Sequence, residues 1–191
     1  MLFTRAVLSA LTLSPFLGAF AWSRADIDLV RRGAVSVAST FSTAQSKMDT
    51  LLSQVGTGPI SDHSVAGSFI SAVSDVSTVL AADMDTFNPG IDILMVDLDG
   101  TKLEDEQLGD KVVTVAKDFE KACSLVKDLG SGDLADVMQT IALNTELVGD
   151  DLARVLPNIA KLPNVVEGTK NAQDSILAMI DSMLGPELQD D

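Results

Sequence analysis

Two carboxylates near the middle of the chain, Asp97 and Asp99, are the residues whose type and spacing best suit chemistry. They close the apolar run of the segment IDILMVDLDGT, residues 91–101. Alternating acidic residues of this kind begin the calcium loop of an EF-hand. Such a loop is disfavoured because Lys102 stands where the turn glycine is required and Leu108 where the bidentate glutamate belongs.

The residues DLDGT, 97–101, resemble the first motif of the haloacid dehalogenase-like phosphohydrolases. The resemblance implies that Asp97 is the nucleophile that accepts the phosphoryl group and that Asp99 is the general acid and base. A bound Mg²⁺ would neutralise the phosphate, with Asp150 and Asp151 as candidate distal ligands. A magnesium-dependent phosphohydrolase is therefore one alternative function.

The surroundings of this motif favour a different interpretation. Only 90 residues follow Thr101, whereas each strand-helix-strand unit of a parallel sheet takes about 30 residues. The residues also fit a short buried helix capped by Asn88, with Pro89 at its first position. The apolar positions of that helix are Ile91, Leu94, Met95 and Leu98. We therefore predict that the protein is not an enzyme and that Asp97 and Asp99 are solvated loop residues.

No other catalytic or metal-binding pattern is present in the sequence. His63 is the sole histidine and has no Cys or second His at zinc-ligand spacing. Cys123, the sole cysteine, falls on an apolar helical stripe, where a free thiol is typically a small buried hydrophobic group. We predict no catalytic residue, no metal site and no cofactor.

Composition and charge limit the class of protein and its partners. Length and a hydrophobic fraction of 46% indicate one folded domain, and a net charge of -15 excludes nucleic acid as a partner. Arg5, the apolar run after it, and Ala19 and Ala21 predict a secretory signal peptide over residues 1–21. Residues 22–191 would form the mature domain, secreted to the extracellular space or cell wall, and we predict no integral membrane span in it.

Apolar residues recur at steps of three and four along most of this mature domain. The stripes predict five long amphipathic helices, over residues 26–55, 62–87, 108–129, 134–155 and 166–183. Ser61 or Asp62 is placed to cap the second helix and Asp133 the fourth, while Gly130 closes the third. The short link between the third and fourth predicts an antiparallel hairpin. The fold class is therefore all-α, a single-domain bundle with a short central buried element.

The segments DIDLVRRGAVSVASTFSTAQSKMDTLLSQV and SVAGSFISAVSDVSTVLAADM carry aliphatic stripes on a background of small polar residues. In this they resemble the fungal hydrophobic surface-binding protein A family, also called the cell-wall galactomannoprotein group. The resemblance implies a non-enzymatic protein that binds hydrophobic surfaces, or a fatty-acid-like lipid between its helices. Apolar residues expected to line such a cavity are Phe41, Met48, Phe69, Met84, Phe119 and Met138.

A secreted interaction protein is the other alternative. Its core would be purely structural, and its outer surface would bind an extracellular protein partner. A large exposed apolar patch without an internal cavity distinguishes this class from a lipid carrier.

Overall fold

A computed structural model describes residues 36–56, 58–88 and 95–185, and these ranges form an all-α fold. The helices are α1 (Val37–Val55), α2 (His63–Asp85), α3 (Asp105–Ser124), α4 (Gly132–Val155), α5 (Pro157–Ala160) and α6 (Pro163–Leu184). The prediction of five long helices is confirmed. The predicted signal peptide, residues 26–35 of the first predicted helix, and residues 89–94 and 186–191 lie outside the described ranges.

The first two helices begin at polar caps. Ser36 precedes α1 and forms a capping box: its Oγ accepts the Ser39 N–H at 3.0 Å, and its own N–H donates to Ser39 Oγ at 3.2 Å. Asp62 caps α2 as predicted, accepting the N–H groups of Ser64 and Val65 at 2.8 and 3.0 Å. Both caps satisfy backbone donors that the first turn of a helix leaves without partners.

Between the third and fourth helices the prediction needs correction in two places. α3 ends at Ser124, five residues before the predicted end, and a 3₁₀ turn over Lys127–Leu129 follows. Gly130, with φ 57°, ends this 3₁₀ turn, whereas it was predicted to end the α-helix itself. The N-cap of α4 is Ser131, so the predicted cap Asp133 lies inside the first turn.

The long helices are arranged in the order α1, α2, α4, α6, α3 around the bundle, with α3 returning to α1. The predicted hairpin of the third and fourth helices is therefore wrong, because α3 packs mainly on α6 and α1. After the 3₁₀ turn and Gly130, the chain continues into α4, which packs beside α2. The short link between α3 and α4 therefore does not make these two helices neighbours.

Hydrogen bonds from α4 fix its parallel alignment with α2. Asn144 donates to the hydroxyls of Ser77 and Thr78, both at 3.0 Å. Three turns further on, Arg154 donates to the carbonyls of Met84, Asp85 and Phe87 at 3.3, 3.3 and 2.7 Å. A guanidinium at these carbonyls satisfies acceptors at the end of α2 and complements its dipole.

The α3–α6 contact depends on two glycines. A Cβ atom built on Gly168 would lie 2.7 Å from Val113 Cγ1, and one built on Gly109 would lie 3.0 Å from Leu162 Cδ1 and from Val165 Cγ2. Val113 cannot yield easily, because its branched side chain is restricted in χ1. These glycines therefore let the two helices approach more closely than any other residue would allow.

We expect Gly168→Ala to lower the free energy of unfolding by about 1–2 kcal/mol, because overpacking outweighs the better helix propensity of alanine. Gly149→Ala is the matched control, since a Cβ atom built on Gly149, inside α4, would have no atom within 4 Å. It should raise the free energy of unfolding by up to about 1 kcal/mol. Urea denaturation measures both, and equal effects would contradict the close-packing account.

Candidate functional site

The segment with the DLDGT residues forms a small hairpin, which we call the Asp97 hairpin, residues 95–103. Val96 and Lys102 form an antiparallel bridge. The Asp97 N–H donates to the Thr101 carbonyl at 2.8 Å, and the Leu103 N–H donates to the Met95 carbonyl at 2.8 Å. The predicted short helix is therefore wrong over Met95 to Leu98, while residues 91–94 lie outside the described residues.

Side chains of the two aspartates explain why this segment turns. Asp97 accepts the N–H of Leu98 at 2.7 Å, and Asp99 accepts the N–H of Thr101 at 2.9 Å. Aspartates that bind nearby backbone donors in this way compete with helix formation. Gly100, with φ 83°, completes the reversal. Leu98, expected on the buried stripe, lies at the tip and is 57% exposed.

The Asp97 carboxylate also joins the hairpin to α3. Its Oδ2 lies 3.2 Å from Lys111 Nζ, and the side chain is only 15% exposed. Partial burial by itself raises the pKa of Asp97, but the polar environment of Ser42, the hydrogen bond from the Leu98 N–H and the charge of Lys111 outweigh burial and hold the pKa below its usual value. The prediction of a solvated Asp97 is wrong, whereas Asp99 is exposed as predicted.

The same hairpin is joined to the start of α1. The Ser36 hydroxyl donates to the Val96 carbonyl, so the residue that caps α1 also holds one strand of the hairpin. The hairpin thus connects the first turn of α1 to α3, although the rest of α1 and the whole of α2 lie between them in the sequence.

This geometry differs from what phosphoryl transfer by the DLDGT residues requires. Asp97 follows an antiparallel bridge, not a buried parallel strand, and its oxygens are engaged by Lys111 and the turn. Asp151 is bound to Arg154 at 2.7 Å, and Asp150 is exposed on α4. Across the described ranges, no group of three or more His, Cys, Asp or Glu side chains is arranged to hold a metal ion. Asp97 and Asp99 form the turn of the hairpin, and Asp97 attaches this turn to α3.

A shallow apolar cleft lies between α1 and α2. Its cavity volume is about 10 Å³, the space of roughly one water molecule. The lining residues are Thr40, Thr43, Ala44, Lys47, Val76, Val79, Leu80 and Asp83. The two threonine hydroxyls donate to carbonyls of their own helix, Thr40 to Ser36 at 3.0 Å and Thr43 to Ser39 at 2.8 Å.

The six residues predicted to line a cavity lie together in the bundle core. Phe41 and Met48 are on α1, Phe69 and Met84 on α2, and the other two on α3 and α4. All of them are buried, with at most 2% of their surface exposed. The residues are Phe41, Met48, Phe69, Met84, Phe119 and Met138. None of them lines the α1–α2 cleft.

A pair of acidic residues at the α1–α3 contact was not predicted. The Oδ2 atom of Asp118 is buried without a hydrogen-bond partner in the described structure. Burial, and to a lesser extent the carboxylate of Asp49 on α1, raise the pKa of Asp118 to about 6, while Lys121 acts in the opposite direction. The sequence held one signal, because Asp118 stands three residues after Val115 and one before Phe119, at the edge of the apolar stripe.

Two further residues can be placed. Cys123 is fully buried, as predicted, and burial followed by the charge of Glu120 raises the pKa of its thiol to about 12, so it remains protonated. His63 is the exposed first residue of α2.

Within the described part of the chain, α2 is the helix that is long and apolar enough to cross a membrane, although half of that stretch is buried in the bundle.

The fold and these contacts define an all-α helical bundle in which a short hairpin joins the first turn of α1 to α3. No family model matches the chain, and no similar curated protein or solved structure was found.

We expect Asp97→Asn to lower the free energy of unfolding at pH 7 by about 1 kcal/mol, because it weakens a charge-assisted contact with Lys111. A carboxylate with a lowered pKa stabilises the fold above its ordinary pKa of 3.8, and this contribution is lost as the pH falls below that value. Asp99→Asn is the control, since the asparagine oxygen can still accept the Thr101 N–H. Equal losses in urea denaturation would contradict a specific role for Asp97.

Asp118 should have the opposite pH dependence. Its raised pKa means that the folded chain takes up a proton between pH 6 and 3.8 before the unfolded chain does, so its contribution to stability grows as the pH falls through this window. We expect Asp118→Asn to be more stable than the parent protein at pH 7 and to lose part of this rise. Urea denaturation at pH 7, 6, 5 and 4 measures the effect, with the exposed Asp128→Asn as control. Identical pH profiles for the two variants would contradict it.

Proposed function

We propose that the protein is a non-enzymatic binding protein of the extracellular space or cell wall. Its ligand is a fatty-acid-like amphiphile or a hydrophobic surface, which it binds by parting α1 from the rest of the bundle. The observation that carries this proposal is the apolar cleft between α1 and α2, which lies at the border of a core that contains Phe41, Met48, Phe69 and Met84. A cleft of about 10 Å³ cannot hold an acyl chain, so binding requires the two helices to separate.

Two features of α1 support it as the helix that moves. On one side it borders α2 along the cleft. On the other side its Asp49 faces Asp118 of α3, and the two carboxylates repel each other when both are ionised. The cleft on one side and the pair of like charges on the other both lower the cost of separating α1 from its neighbours.

The core side of α1 supplies an apolar surface suited to the ligand. Phe41 and Met48 lie on it, and Phe69 and Met84 lie on α2. Methionine side chains adapt to irregular apolar shapes. When the helices separate, an acyl chain would replace the contacts that these residues make with one another. Burial of each methylene group of that chain would contribute about 0.8 kcal/mol to the binding free energy.

Saturable uptake of a fluorescent fatty acid by the delipidated protein tests the proposal. We expect Val79→Glu to weaken uptake about tenfold, because a carboxylate at the cleft repels the headgroup and must be desolvated when the chain enters. Val79 is partly exposed, so the variant should still fold. Val166→Glu on α6, where the valine is also exposed, is the matched control and should bind as the parent protein does.

The pH dependence of uptake gives a second readout of the same mechanism. Protonation of Asp118 removes its repulsion of Asp49, so uptake should fall between pH 7 and pH 5 by more in the parent protein than in Asp118→Asn. If the delipidated protein shows neither saturable uptake nor adsorption to a hydrophobic surface, the proposal is wrong. Uptake that is unaffected by Val79→Glu would place the ligand elsewhere in the bundle.

A further inference from the structure

Five of the seven exposed large apolar residues in the described structure are on the neighbouring helices α4 and α6. Leu143 and Leu147 on α4 are each 53% exposed, and Leu177 on α6 is 40% exposed. We call these three side chains the leucine patch. Isolated exposed leucines need no explanation, but several on one face mark a site of interaction.

A hydrogen bond between the two helices sets the positions of the three leucines relative to one another. Gln173 Nε2 donates to Glu146 Oε2 at 3.1 Å, which sets the register of α6 against α4. The two helices pack against each other in the bundle, and they run antiparallel because the end of α4 is joined to the start of α6 through only the four-residue helix α5 and its short links. Leu177 lies one turn beyond Gln173, and Leu143 lies nearly one turn before Glu146. They therefore face the same outer groove, with Leu147 on the next turn of α4.

The charge around the leucine patch is strongly negative. α4 and α6 together contain eight acidic and two basic residues. Both cations are already paired: Lys170 lies 3.6 Å from Asp174, and Arg154 lies 2.7 Å from Asp151. Glu146 and Asp150 are exposed beside the leucines. The groove thus combines an apolar floor with carboxylates that the two cations of these helices do not neutralise.

We propose that this groove is a docking site for a cationic amphipathic helix of a partner protein. An amphipathic helix places an apolar stripe in a groove between two helices, and its lysines and arginines would meet the carboxylates on either side. A second copy of this chain does not fit, because each copy has a net charge of -15 and presents the same acidic face. An anionic membrane is disfavoured for the same reason.

This docking site is independent of the α1–α2 cleft. The cleft is lined by α1 and α2, whereas the leucine patch belongs to α4 and α6. The protein can therefore bind a partner while the bundle stays closed, and loss of one activity does not predict loss of the other.

A synthetic peptide of about 18 residues, composed of leucine and lysine with the leucines on one helical stripe, is the probe. We expect saturable binding by fluorescence anisotropy, weakening as salt is added. The Leu143→Ser, Leu147→Ser double variant should bind about tenfold more weakly, because it removes the apolar floor without changing the charge. Leu98→Ser, which replaces an exposed leucine far from the groove, is the matched control and should change the affinity by less than about twofold.

Charge is tested separately with Glu146→Gln, Asp150→Asn, which should weaken binding several-fold and flatten its salt dependence. Glu106→Gln, Asp99→Asn carries the same change in net charge at exposed positions on α3 and the Asp97 hairpin and should have a smaller effect. A peptide with the same composition but scrambled leucines should bind much more weakly. Equal binding of the two peptides, or an unchanged affinity of the leucine variant, would overturn the proposal. So would binding to zwitterionic vesicles through the leucine patch without binding of the peptide.

Discussion

The close approach of α3 and α6 is the constraint on which the order of the helices depends. It is possible because Gly109 and Gly168 leave room for Leu162, Val165 and Val113. Once these helices are paired, α4 cannot occupy the same side of α3, and it packs between α2 and α6 instead. The hydrogen bonds of Asn144 and Arg154 then fix α4 against α2. The arrangement follows from two positions where the absence of a side chain decides the packing.

How far the sequence predicts this fold follows from the same contacts. The apolar stripes identified the five long helices, because each helix buries one face and the period of 3.6 residues records it. The helix cap at Asp62 and the burial of Cys123 were also predictable from residue type. The neighbour of each helix was not, because it depends on a tight contact at Gly168 that no periodicity reports. The stripes say which face of a helix is buried but not against what.

The candidate sites show a related limit. The DLDGT residues resemble a catalytic motif, yet Asp97, Asp99 and Gly100 are also the residue types that a tight turn prefers. Only the backbone around them separates the two cases, and it is an antiparallel bridge. Six residues were predicted to line a cavity and are buried in the core: Phe41, Met48, Phe69, Met84, Phe119 and Met138. A stripe of buried residues has the same sequence pattern whether or not a cavity lies between the helices. The leucine patch was missed because its members lie on two helices whose pairing the sequence did not predict.

Asp97 and Asp118 show how one residue type acts in opposite ways at two of the contacts between α1 and its surroundings. Asp97, beside Lys111 and Ser42, has a lowered pKa and helps hold the hairpin that binds Ser36 at the start of α1. Asp118, half-buried opposite Asp49, has a raised pKa and weakens the seam between α1 and α3 while it is charged. Between pH 6 and about 4 the second carboxylate takes up its proton while the first stays ionised. In the mechanism proposed above, both contacts favour the closed position of α1 in this window, so mildly acidic conditions would hold the bundle shut and neutral pH would favour its opening.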